Sequence, residues 1–452
     1  MLRLALACLL IAALPASADP TTRPDRPTMR EFVGINAHTV QFPAELYAPL
    51  CRLVRDYHPI DWDTGDDTAT PTDFPRARRP ITWNDASGRF RSFDGVVDWA
   101  DLYGEWNASG FEIDASLMLP THWTDPAADA ERYGRAFAEQ FGPSGETPRV
   151  ASVEIGNEPA GENRIPDELY LTLFTNMAKG LRAGDPDLKI LTCAAAPPEP
   201  DGWSKSLDIF LPHAELFDVI NVHKYALAEG WPTWRRTFPE DRNGGLLPFV
   251  RETLAYRDEH LPGKEVWLTE FGYDAATGTP DPDGPMAQFV DATDLQQAQW
   301  IVRSFLTLAT TDLDRAYLYW FNDSDDPSFH AASGVTRNFE PKPSYYAMRQ
   351  MQRILGGYRF STIVEWSDDE RIVLEFERGD DPSQFVWVAW SPTGLGRETN
   401  IDRPFPGRIV AFEQMAISDD VQRRDVPHHD VRPNVNLPIG ESVTYFIMER
   451  FE

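Results

Sequence analysis

Short apolar runs alternate with longer amphipathic ones from about residue 30 to residue 357, the rhythm of β-strands each followed by a helix. The segment 32–36 reads as a first strand, with a helix over 45–53. A second strand at 54–57 leads into a long polar loop and a helix over 95–106. The third and fourth strands fall at 111–119 and 150–156, with helices over 127–140 and 167–182. The fifth, sixth and seventh strands read at 188–193, 219–222 and 264–268. A helix over 295–309, an eighth strand at 316–321 and a closing helix over 344–355 complete the series. This pattern predicts an α/β fold, a (β/α)8 TIM barrel, over 30–357. After Gly356-Gly357 the apolar period drops to two in the runs 371–376, 385–390, 408–412 and 442–448. A small all-β domain, a β-sandwich, is expected over 358–452.

Two of the strand-like runs end in a glutamate and break at once into a loop: Val153-Glu154-Ile155-Gly156-Asn157-Glu158-Pro159, and Val266-Trp267-Leu268-Thr269-Glu270-Phe271-Gly272. Alone, Glu158 also suits the first turn of a Pro-started helix, and Glu270 a solvated strand end. Together they deliver two carboxylates from the ends of two buried strands. A glycosidase needs that pair, one to protonate the leaving oxygen and one to attack the sugar carbon or activate water.

Asn157-Glu158-Pro159 followed far downstream by Thr269-Glu270-Phe271-Gly272 resembles the retaining glycoside hydrolases of clan A. The resemblance implies that Glu158, ending strand four, is the acid/base and that Glu270, ending strand seven, is the nucleophile. It also implies that Asn157 donates to the sugar 2-hydroxyl. Within Asn221-Val222-His223-Lys224-Tyr225, it implies that His223 lines the subsite of the sugar being cleaved and that Tyr225 keeps the nucleophile ionised. Trp320, at the end of strand eight, resembles the aromatic floor of that subsite.

Other strand ends add candidates from the residues themselves. Arg55 on strand two can lower the nucleophile's pKa, or simply partner a neighbouring carboxylate. Asn36 and His38 follow strand one, and His122 and Trp123 follow strand three; the two histidines are equally ordinary hydrogen-bonded cleft residues. Glu154 carries no assigned role. Two loops combine arginine with tryptophan: Arg76, Arg78, Arg79 and Trp83 after strand two, and Trp231, Trp234, Arg235 and Arg236 after strand six. They suit an anionic, sulfated or uronate-bearing glycan, or else local pairing with Asp73, Asp85, Glu240 and Asp241.

Composition narrows the class further. A net charge of −29 opposes binding to nucleic acid, which requires a basic footprint. Arg3, the apolar run 4–14 and Ala16-Ser17-Ala18 read as a signal peptide over 1–18, with a flexible leader over 19–29. Cys8 lies inside the apolar run rather than after it, which disfavours a lipoprotein. The expectation is a secreted or periplasmic protein with no membrane span. Cys51 and Cys193 are expected as buried thiols. No Cys/His cluster has zinc spacing, and neither metal nor cofactor is implied. The sequence thus predicts a retaining β-glycoside hydrolase, endo-acting on a polysaccharide. An exo-acting enzyme resembling β-xylosidases and a non-catalytic carbohydrate-binding barrel are the alternatives.

Overall fold

The computed structural model describes residues 26–38, 41–64, 76–84, 90–120, 123–161, 164–198, 202–392, 396–401, 403–426 and 438–451, with the backbone alone at 76–84 and 90–96. The expected signal peptide and most of the leader lie outside these residues. Eight parallel strands close into a barrel: β1 (Val33–Ala37), β2 (Leu53–Pro59), β3 (Glu112–Met118), β4 (Val150–Ile155), β5 (Lys189–Leu191), β6 (Val219–His223), β7 (Glu265–Phe271) and β8 (Arg315–Leu318). Each pairs with its neighbours in sequence, and β8 closes on β1 with Val33 opposite Ala316.

Alternation along the strands sorts side chains into two environments. Ile35, Val54, Ile113, Val153, Ile220 and Leu268 point outward into the main core beneath the helices. The opposite face turns inward and is layered. Leu53, Leu191, Val219, Trp267 and Tyr317 form an apolar plug. One step along the strands the side chains become polar: Asn36, Arg55, Ser116, Glu154, Asn221 and Thr269, all buried. Gly34 lets the plug close, because a Cβ there would lie 2.4 Å from the Tyr317 ring.

Several elements differ from the sequence reading. The helix expected over 45–53 spans only Ala44–Tyr47, because Pro49 has no N–H to continue it and Leu53 already starts β2. The polar loop after β2 contains a short helix (Ile60–Thr64) and a hairpin pairing 76–84 with 90–98. Residues 95–98 therefore belong to the hairpin. The following helix begins at Trp99, where the Asp98 carboxylate accepts the Asp101 N–H at 3.2 Å as its cap. A helix over Leu246–His260, unread in the sequence, links β6 to β7.

The C-terminal strands are β9 (Tyr358–Trp366), β10 (Ile372–Arg378), β11 (Asp381–Trp390), β12 (Gly407–Gln414), β13 (Arg423–Asp425) and β14 (Thr444–Arg450). They form one antiparallel sheet in the order β9-β10-β11-β14-β12-β13. One face, with Leu374, Phe376, Val388 and Tyr445, joins the main core. The other, with Val373, Trp387, Ile409 and Phe446, forms a second cluster covered by Ile401, Phe405 and Ile439. Among the described residues no second sheet covers that face as a sandwich would. Both Cys51 and Cys193 are buried free thiols. No helix among the described residues is long and apolar enough to cross a membrane.

A buried clasp ties the sheet to the barrel. Arg303, on the helix Asp294–Leu308, holds Glu240 through Nε at 2.9 Å and Nη2 at 2.5 Å. It also donates to the Pro392 carbonyl, while the Trp390 indole donates to Glu240 Oε1 at 2.6 Å. Removing one partner strands a buried charge. Glu240→Ala should therefore cost about 3–5 kcal/mol of folding stability, read as a lowered urea midpoint. A loss under about 1 kcal/mol would mean that water reaches the Arg303 guanidinium.

Candidate active site

The polar end of the barrel interior opens where β4, β6 and β7 stop. Strand β4 breaks at Gly156, whose φ of 86° favours glycine, and the chain then presents Asn157 and Glu158. Strand β7 reaches its glutamate differently. Val222 pairs with Leu268 but His223 pairs with Glu270, so a bulge falls at Thr269. The bulge lets Thr269 and Glu270 both serve the polar interior, although strict alternation would place them on opposite faces.

Glu270 is the most heavily bonded carboxylate of the site. Its Oε1 accepts from Arg55 Nη1 at 2.9 Å and from the Tyr57 hydroxyl at 2.6 Å, and its Oε2 accepts from the Tyr225 hydroxyl at 2.9 Å. His223 Nδ1 lies 2.8 Å from Glu158 Oε1 and 3.6 Å from Glu270 Oε2. One oxygen from each glutamate and one His223 nitrogen all lie within 4.8 Å of one another. The Glu158 side chain is 24% exposed and that of Glu270 only 7%.

The groups around Glu270 are themselves fixed. Arg55 forks onto Glu154 at 2.6 and 2.8 Å, and donates to Asn36 Oδ1 and Asn157 Oδ1, both at 2.8 Å. Asn36 in turn donates to the Thr269 carbonyl at 2.8 Å. His223 Nε2 meets Thr269 Oγ1 at 3.0 Å, and that hydroxyl donates to Asn221. Nε2 is therefore a donor, and the proton at Nδ1 lies between His223 and Glu158.

Burial alone would raise the Glu270 pKa. The charges of His223 and Arg55 and the Tyr57 hydroxyl more than offset it, and hold the carboxyl down to about 2. Burial would lower His223, but Glu270 and Glu158 bring it above its ordinary value. Glu154 moves the other way, with burial pushing it up to about 7 against the Arg55 charge. Burial and the Arg236 charge drive His330 down to about 4, which keeps that ring neutral at pH 7.

The remaining candidates separate. Trp320 lies edge-on to His38, with ring centroids 6.2 Å apart, and both are at the barrel mouth. Burial lowers the His38 pKa. Trp123 is buried against Tyr133. His122 lies outside the described residues, as do the side chains of Arg76, Arg78, Arg79 and Trp83. Arg236 is not available to a charged substrate. It is buried, with Nε and Nη2 on Asp274 Oδ2 at 3.0 and 2.9 Å and its guanidinium over the Tyr225 ring. Arg235 is half-exposed and pairs with Glu229 at 3.2 Å. Trp231 and Trp234 line a cavity of about 750 Å³ that also borders Glu158, His223 and Tyr225.

Sequence reasoning missed Tyr57, Trp203, Phe329 and His330. Tyr57 was within reach, because it lies two residues beyond Arg55 and so shares its face of β2. The other three sit in loops without periodicity. His330 packs edge-on to Tyr225 at 4.5 Å, and Phe329 stacks on Trp234 at the same separation.

No protein-family model matches the chain, and no curated protein matches it. Solved structures do share its fold. A family 39 glycoside hydrolase from Bacteroides cellulosilyticus superposes with a TM-score of 0.63 at 15% identity, covering 94% of this chain and 82% of the other. A glucosidase from Croceicoccus marinus gives 0.62 at 13% identity, covering 94% and 97%. A family 30 endoxylanase from Clostridium papyrosolvens gives 0.51 at 13%, with the same coverage. At these identities the likeness establishes the architecture.

The hydrogen bond from Tyr57 generates a test. Tyr57→Phe removes a donor that favours ionised Glu270, so the carboxyl's pKa should rise. The ionised form would then be lost at a higher pH as the solution is acidified. The acid limb of the kcat/KM profile should move upward, with thermal unfolding little changed. An unmoved limb would assign it to a group other than Glu270.

Proposed function

We propose that this chain is a secreted retaining β-glycoside hydrolase that cleaves within a polysaccharide. One observation carries the reading: an oxygen of Glu158 and an oxygen of Glu270 lie within 4.8 Å of each other. Retaining pairs stand about 5–5.5 Å apart, whereas inverting pairs need about 6.5–9.5 Å to admit a water. The fold is shared with glycoside hydrolases and is compatible with this reading, and the chemistry rests on the site.

The roles follow from environment. Glu270 is buried, ionised and oriented by three donors, which suits a nucleophile. Its Oε1 is held by Arg55 and Tyr57, while Oε2 faces only Tyr225 and the more distant His223, so Oε2 is the attacking atom. Glu158 is exposed to the cavity and shares a proton position with His223, which suits an acid/base. With a sugar seated on Trp320, Glu158 gives its proton to the glycosidic oxygen as Oε2 bonds to the anomeric carbon. The C–O bond to the leaving group breaks, and a glycosyl ester forms on Glu270. Glu158, now a carboxylate, takes a proton from water as that water attacks the same carbon. The Glu270 ester bond breaks, and two inversions restore the starting configuration.

Of the arginines behind the anionic-substrate reading, Arg236 is buried on Asp274 and Arg235 pairs at the surface with Glu229. Among the described residues Lys224 is the one lysine or arginine bordering the cavity beside Glu158, and on that ground we favour a neutral glycan.

Proton NMR of a digest should show the β-anomer first, before mutarotation. Glu270→Gln should abolish turnover of an activated aryl β-glycoside while the protein remains folded. Glu158→Ala should lose ~10²–10⁴-fold on a glycoside with a poor leaving group, and far less where the leaving group needs no proton. An α-anomer as first product would reject retention, and a fully active Glu270→Gln would remove the nucleophile assignment.

A further inference from the structure

The cavity beside Glu158 is asymmetric about the reaction centre. Asn157, Glu158, His223 and Tyr225 form its inner end. Glu270, Arg55 and Trp320 do not border it. In a double displacement the nucleophile attacks the face opposite the departing oxygen, and the acid stands beside that oxygen. Open volume that adjoins the acid and not the nucleophile lies where the departing group must go.

Its outer walls are aromatic. Trp203 is 43% exposed and Trp231 65% exposed, and both border the cavity. Among the described residues they are the only exposed tryptophans. Large apolar faces left in water at the mouth of a cavity mark a binding surface. Phe329, stacked on Trp234, extends the same wall.

Trp203 is also seated by the acid's own loop. The Gly161 N–H donates to the Glu158 carbonyl at 3.0 Å, closing a turn. A Cβ on Gly161 would lie 2.4 Å from the Trp203 ring, so the indole rests on the bare glycine. The turn that carries Glu158 thus supplies a surface against which the ring packs. Charge is sparse here. Among the described residues, Lys224 is the one lysine or arginine bordering the cavity, and its ammonium lies over the Phe249 ring.

We infer that this cavity is the leaving-group subsite, and that Trp203 and Trp231 are the faces on which an uncharged departing sugar chain stacks. The inference rests on the glycosidase reading above. The C–H face of a pyranose matches an indole in apolar area, and a ring held in place costs little further ordering on binding.

The test compares two substrates of the glycone that an aryl-glycoside panel identifies: its β-glycosyl fluoride, whose leaving atom cannot reach either indole, and a β-linked oligosaccharide of the same sugar. Trp203→Ala and Trp231→Ala should each lower the ratio of kcat/KM for oligosaccharide over fluoride by about tenfold. Gly161→Ala retains both tryptophans but displaces the Trp203 ring, and should lower the same ratio. Equal losses on both substrates, or an unchanged ratio in all three variants, would overturn the subsite while leaving the glycosidase reading intact. A wild-type protein that turns over no fluoride and no aryl glycoside would overturn both.

Discussion

The fully buried guanidinium of Arg55 is the constraint around which the site is arranged. A charge removed from water must be compensated by partners whose geometry saturates its donors, or the fold loses several kcal/mol. Here the partners come from β1, β3, β4, β7 and the loop after β4: Asn36, Ser116, Glu154, Glu270 and Asn157. His223, brought above its ordinary pKa by Glu270 and Glu158, stands beside the same cluster. Ionisation of Glu270 and barrel closure therefore share one set of hydrogen bonds. A group removed from this set disturbs a protonation state and a strand contact together.

Most of the architecture was legible in the sequence because it follows from apolar periodicity, which burial enforces on every turn and strand. Helices such as Pro126–Phe141 and Asp167–Gly184 lie within a few residues of their expected bounds, since each presents a long apolar stripe. The stretch between β2 and the helix at Trp99 was not legible. Its hairpin is polar and carries no pattern strong enough to separate strand from loop.

The candidate site was legible only where a strand ends in a charged residue. Glu158 and Glu270 stood out for that reason, and Arg55 because an arginine inside a barrel strand demands an explanation. The bulge at Thr269, which turns Glu270 toward its donors, leaves no compositional mark. Arg236, after β6, was misleading for a physical reason. Sequence gives the charge of Arg236 but not the buried Asp274 that consumes it. Aromatic walls such as Trp203 depend on how a loop folds back, and only the Gly161 contact reveals that.

The clasp of Glu240, Arg303 and Trp390 has a consequence for how such a chain can diversify. Glu240 sits in the loop after β6, which also carries Trp231 and Trp234, while Trp390 ends a strand of the C-terminal sheet. The sheet is thus a structural abutment for a cleft wall, and not an appendage joined by a linker. Recombination that exchanged this sheet for another would leave a buried carboxylate short of a donor, and the wall it supports would lose its anchor. Inheritance of the two parts as one block is the arrangement this contact favours, so sequence change should accumulate within the loops more readily than by swapping whole domains.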